Sequence, residues 1–127
     1  MTPNMDLAWQ IDDLAARVPG IEQVVMLSRD GLALGSSRSL RRDETERLAA
    51  LAADFRSLGA GTADYLSVRG VRQIVVDMEG KYLFITSAGP YGALAVVTSD
   101  WAEMGLVGYE MIILAQKLGE FMPAPSW

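Results

Sequence analysis

The segment from Asp43 to Ala63, DETERLAALAADFRSLGAGTA, leaves this chain the least freedom. Leu48, Leu51, Phe55, Leu58 and Thr62 recur at helical spacing and define one apolar side. The other side carries Ala49, Ala50, Ala53, Ser57, Ala60 and Gly61. From Leu48 to Ala63 only Asp54 and Arg56 are charged, whereas a solvated helix face normally carries many charges. The large side is therefore expected to cover the monomer's core, and the small side to meet a partner. Self-association is the economical form, because a two-fold axis pairs a face with its own copy. Ala49, Ala53, Ser57 and Ala60 are the expected contact residues, Asp54 and Arg56 the expected polar, partner-binding ones. Ala53→Glu is the substitution expected to break the pair. Asp43 with Glu46 three residues later forms a capping-box-like start. A helix over this span would be about 31 Å long. Gly59 and Gly61 each cost roughly 1 kcal/mol against alanine in a helix interior. Either the helix frays there or another part of the backbone approaches closely.

Around this helix the elements fall in a simple order. Asn4 is a plausible N-cap, and Leu7, Ile11, Leu14, Ala15 and Val18 give a first helix that Pro19-Gly20 stops. Trp9 is expected at its edge, with Asp12 and Asp13 in solvent. Ile21 to Ser28 is β-rich, and Asp30-Gly31 predicts a type I′ hairpin into Leu32-Ala33-Leu34. Residues 64–70 read as a loop or a last irregular turn. Three strands follow, at 72–78, 81–87 and 93–98, with turns at Glu79-Gly80 and at Gly89-Pro90-Tyr91-Gly92. Runs such as Ile74-Val75-Val76 and Leu83-Phe84-Ile85 are continuously apolar, which implies a sheet covered on both faces. Asp100 with Glu103 suggests another cap before a closing helix striped by Met104, Val107, Met111, Leu114 and Leu118, which Pro123 ends. The fold class is α+β: helix, two strands, helix, three strands, helix. The expectation is one domain over residues 5–122, a five-stranded antiparallel sheet between helices, with short tails at 1–4 and 123–127.

Several chemistries are excluded by residue type. The chain contains no His and no Cys, so imidazole-assisted triads, thiolate zinc sites and disulfides cannot be built within it. There is no P-loop and no dinucleotide fingerprint, and no catalytic residue, metal ligand or cofactor is assigned. Sixteen acidic against eleven basic residues give a net charge of −5, and the one basic cluster, Arg38, Arg41 and Arg42, is followed at once by Asp43, Glu44 and Glu46. Nucleic acid and anionic membrane surfaces are therefore poor partners. No apolar run approaches the length of a membrane span, and the N-terminal sequence lacks the basic start of a signal peptide. A cytoplasmic setting is expected.

Several phrases, taken in order, resemble the roadblock-type (dynein light-chain roadblock) domains. They are Val18-Pro-Gly-Ile21, Ser28-Arg-Asp-Gly-Leu32, the alanine- and leucine-rich run Asp43 to Leu58, Val71-Arg-Gln-Ile-Val-Val-Asp-Met78 and Tyr82-Leu-Phe-Ile85. Gly105-Leu-Val-Gly-Tyr-Glu-Met111 resembles the actinobacterial branch, and the likeness runs from about Met5 to Met122. It implies a homodimer in which the middle helices pair and the third strands join two sheets, which adds Ile74 and Val76 to the interface. It further implies a regulator or scaffold of a small Ras-like GTPase, related to gliding-motility regulators, with a sensor-kinase-like protein as a further companion. The implied action is to shift switch-region populations in trans without doing chemistry. Arg56, Arg69 and Arg72 are candidates, by position alone, for an arginine finger. The alternative reading is a small-ligand sensor module without catalytic activity.

Overall fold

Alternation between helical and extended periodicity produces eight elements in the computed structural model, which describes residues 7–90 and 92–120. They are α1 (Leu7–Arg17), β1 (Ile21–Ser28), β2 (Ala33–Ser36), α2 (Arg42–Leu66), β3 (Gln73–Met78), β4 (Lys81–Ser87), β5 (Gly92–Ser99) and α3 (Met104–Gly119). The strands form one antiparallel sheet in the order β2-β1-β5-β4-β3. The expected Asn4 cap, the Pro123 stop, both tails and Tyr91 of the 89–92 turn lie outside the described residues.

Continuous apolar runs serve two cores, one on each sheet face. Val24, Met26, Phe84, Leu94 and Val96 point to α1 and α3, where Ile11, Leu14, Val107, Met111 and Leu118 meet them. Their sequence neighbours Val25, Leu27, Leu83, Ile85, Ala93 and Ala95 point the other way, to α2. The blurred alternation thus reflects two apolar faces.

Turns and caps depart from expectation in detail. Asp30 keeps a negative φ and only Gly31 is left-handed, at φ +88°. Gly31 N–H donates to Ser28 O at 3.0 Å and Ser28 N–H to Leu32 O at 2.8 Å. That is the longer hairpin with a glycine bulge rather than the two-residue type I′ turn. At the start of α2 the flanking residue is Arg41, whose N–H donates to Glu44 Oε1 at 2.9 Å. Asp43 lies inside the first turn, because Glu44, and not Glu46, has the reach back to the chain entering the helix. For α3 the cap is Glu103 itself, with Oε1 accepting from Leu106 N–H at 2.9 Å. Asp12 and Asp13 are not left to solvent: Asp12 accepts from Arg38 N–H and Nε at 3.0 Å each, and Asp13 pairs with Arg17 at 2.7 Å.

The long helix does not fray at its glycines. It runs 25 residues through both and ends at Ser67, a left-handed residue (φ 59°) that closes the last turn. Val68 N–H reaches Ala63 O at 3.0 Å and Ser67 N–H reaches Asp64 O at 3.1 Å, which satisfies carbonyls the helix end would leave open. Gly59 answers to close approach, since a Cβ there would sit 3.2 Å from Val71 Cγ2 and 3.3 Å from Ile74 Cδ1. Gly61 faces open space. Among the described residues no helix is long and apolar enough to cross a membrane.

Candidate functional site

The rotation of α2 on the sheet decides what the surface can do. Ala49 and Ala52 are fully buried against the sheet, with Thr45, Leu48 and Ala63 beside them on the same side. Small side chains facing β1 and β5 let the helix axis settle close to a surface filled by Val25 and Leu27. The large residues are displaced to a flank: Leu51 is 46% exposed, Leu58 70% and Tyr65 86%. Phe55 lies half-buried at the boundary and packs on the same core as Ile74, Val76 and Val97. The core side expected around Leu51 and Phe55 is therefore corrected at Leu51, because part of the small side, at Ala49, does the covering, while Phe55 does pack on the core.

The remaining sequence-derived residues separate accordingly. Ala49 does not reach the surface. Ala53 is half-buried under the β1–β2 hairpin, where a Cβ on Gly31 would lie 3.1 Å from its own Cβ, so Ala53→Glu would disturb the monomer's packing first. Ser57 and Ala60 are exposed, but on the flank opposite Leu51 and Leu58. Ile74 and Val76 are half-buried in the α2-side core. Asp54 is exposed and Arg56 half-buried; two positions along a helix turn them about 200° apart, so they cannot act as one patch.

Beside the exposed flank of α2 lies an unprotected strand. β3 is an outer strand whose ladder partner is β4 alone. Its residues are Gln-Ile-Val-Val-Asp-Met, with Val75 41% and Met78 43% exposed. An outer strand of that length usually carries lysine, proline or a bulge to prevent pairing with another chain. Here Asp77 is the single charge.

On the opposite flank, α2 and the sheet enclose a cleft of about 570 Å³. Arg29 enters from the hairpin, Arg56 from α2, and Arg69 and Arg72 from the loop after the helix. Each support is visible in the backbone. Gly31 seats the hairpin tip on Ala53, and Gly59 lets Val71 and Ile74 close on the helix. Ser87 Oγ donates to Val71 O at 3.4 Å, and Gln73 Nε2 donates to Thr86 Oγ1 at 3.0 Å, fixing the loop's exit. Asp64 is the one carboxylate of the lining, and Val71, Ile74 and Ile85 supply an apolar floor. The Arg56 guanidinium is held below the ordinary arginine pKa, first by burial and then by the like charge of Arg29. Arg56, Arg69 and Arg72, singled out from sequence, are brought together. Arg29 was missed, and its position in a turn 27 residues before Arg56 gave no periodic signal that could have found it.

Comparison with known proteins gives the fold a context. The Roadblock/LC7 domain matches residues 7–98. A Roadblock/LC7 domain from Streptomyces avermitilis is 34% identical, the match covering 91% of this chain and 97% of that one, with a TM-score of 0.87. MglB of Myxococcus xanthus superposes with a TM-score of 0.83 at 18% identity, covering 94% of this chain and 96% of that one. The gliding protein MglB from Thermus thermophilus gives 0.78 at 17% identity, with 88% and 84% covered. These two likenesses concern the fold. A search of curated proteins returned no match. Although the family match ends at residue 98, α3 buries Val107, Met111 and Leu114 in the same core as α1.

Proposed function

Because the chain belongs to the Roadblock/LC7 domain family, we propose that it is a homodimeric, non-catalytic regulator or scaffold of a small Ras-like GTPase in the cytoplasm. The observation that carries this reading is the apolar surface left uncovered by Leu51, Leu58 and Tyr65 beside the outer strand β3. A second copy related by a two-fold axis would cover the helix flank and supply a strand for β3. This replaces Ala49 and Ala53 as contacts while keeping the helix and the Ile74–Val76 strand as the paired elements. Ser57 and Ala60, on the other flank, fall outside it.

The likeness in fold to the gliding proteins MglB supports placing a GTPase among the partners. Composition supports a role exerted by contact, since a chain without His or Cys offers no activated imidazole or thiolate. Binding one GTPase conformation more tightly than the other would shift the switch equilibrium by that difference in affinity alone. The roadblock-type unit is proposed to extend over residues 5–122, and a sensor-kinase-like protein is proposed as a further companion.

The test measures GTP hydrolysis by the cognate GTPase with and without this protein, together with direct binding to its GDP and GTP forms. Binding that differs between the two forms is the expected result. Absence of binding to both would remove the GTPase from the reading.

A further inference from the structure

The distribution of arginines is uneven in a way the proposed dimer contact does not explain, and a single arginine finger drawn from Arg56, Arg69 or Arg72 would not account for Arg29 lining the same cleft. Of the nine arginines in the chain, Arg17, Arg38, Arg41 and Arg42 each pair with a carboxylate. Arg29, Arg47, Arg56, Arg69 and Arg72 make no ion pair among the described residues. Four of these five line one cleft between α2 and the sheet. In a chain of net charge −5 carboxylates are in excess, so neutralising partners were not scarce.

Holding the half-buried Arg56 guanidinium near Arg29 costs electrostatic energy. Like charges in a partly desolvated site repel, and the lining returns one negative charge, that of Asp64. Among the described residues no ion pair ties these side chains to another element, whereas the paired arginines join elements: Arg38 ties its loop to α1, and Arg17 ties α1 to Glu110 of α3. Guanidiniums present planar forks that match the oxygens of phosphate. The cleft also has the Ser57 side chain at its wall, beside Ser87 whose hydroxyl donates to Val71 O, and an apolar floor of Val71, Ile74 and Ile85. Its volume, about 570 Å³, falls in the range of small-molecule pockets and is generous for an inorganic ion alone.

We propose that this cleft is a binding site for a small organic diphosphate, with the phosphates on Arg29, Arg56, Arg69 and Arg72 and the organic part on Val71, Ile74 and Ile85. A ligand of about three negative charges would neutralise the net positive lining and satisfy donors that the protein leaves unpaired. The hairpin, α2 and the 67–72 loop would be joined by it, because each contributes at least one arginine. The proposal stands independently of the GTPase, since the site lies within one chain.

The experiment titrates the full chain alone, by calorimetry, with ADP and with inorganic pyrophosphate, using sodium chloride at matched ionic strength as the blank. One saturable equivalent per chain is expected, with ADP tighter than pyrophosphate. Arg29→Gln and Arg56→Gln should each weaken binding by roughly tenfold or more. Arg42→Gln, which removes an ion-paired surface arginine, should leave it unchanged. The unliganded Arg56→Gln protein should melt no lower than the parent, because a like-charge contact is relieved. Heat no greater than the chloride blank would overturn the proposal, as would binding retained in the Arg29→Gln/Arg56→Gln double variant. Equal affinity for ADP and pyrophosphate would overturn the part assigned to the apolar floor. No GTPase is present in any arm, so failure here is separate from failure of the GTPase reading.

Discussion

At the scale of single residues, two glycines in one helix have opposite reasons to be there. Gly59 is pressed by Val71 and Ile74, so a methyl group would force both to give by a few tenths of an ångström. Gly61 has no neighbour within 4 Å in that direction. Alanine stabilises a helix interior by about 0.5–1 kcal/mol relative to glycine where nothing obstructs it. Gly61→Ala should therefore raise stability by about that amount, while Gly59→Ala should gain nothing. Urea denaturation of both variants at one fixed protein concentration, so that association does not intervene, checks the contrast. Both glycines were visible in the sequence as anomalies, whereas three of the four cleft arginines were named there by position alone. Their opposite roles were not, because a glycine is identical in sequence whether a neighbour occupies its Cβ position or solvent does.

At the scale of elements, α2 presents a core side, an apolar flank and an arginine-lined flank around one cylinder. On the proposed dimer, Leu58→Glu places a charge on the apolar flank, where Leu58 is 70% exposed and contributes little to the monomer. Sedimentation at tens of micromolar should then show monomer in place of dimer, with far-ultraviolet circular dichroism unchanged. A variant that stays dimeric would move the interface away from this flank. The existence of α2, its start near Arg42 and its continuation into strands were legible from periodicity. Which of its two apolar sides faces the sheet was not. Periodicity reports that a side is apolar, and the choice between a large and a small side depends on how much space the opposing sheet leaves. With Val25 and Leu27 filling that space, Ala49 and Ala52 fit inside and Leu51 and Leu58 do not.

At the scale of the whole molecule, two cores share one sheet, so neither layer of helices is an accessory. Met111 is fully buried on the α1–α3 side, beyond the end of the family match. Met111→Ala should cost about 2–5 kcal/mol and lower the midpoint of a single transition for the whole domain, measured by thermal or urea unfolding with near- and far-ultraviolet probes together. Two separated transitions would mean that α3 folds as its own unit. Element order, the antiparallel sheet and apolar surface on both of its faces were readable along the chain, because hydrophobic period, turn residues and chain breaks are local properties. The absence of His and Cys likewise excluded imidazole and thiolate chemistry by residue type. The strand order with β3 outermost, the rotation of α2 and the meeting of Arg29 with Arg56, Arg69 and Arg72 at one cleft emerge with the packed fold. Those depend on contacts between residues far apart in the chain, and side-chain volume across an interface, unlike period along a strand or helix, is not written at any one place in the sequence.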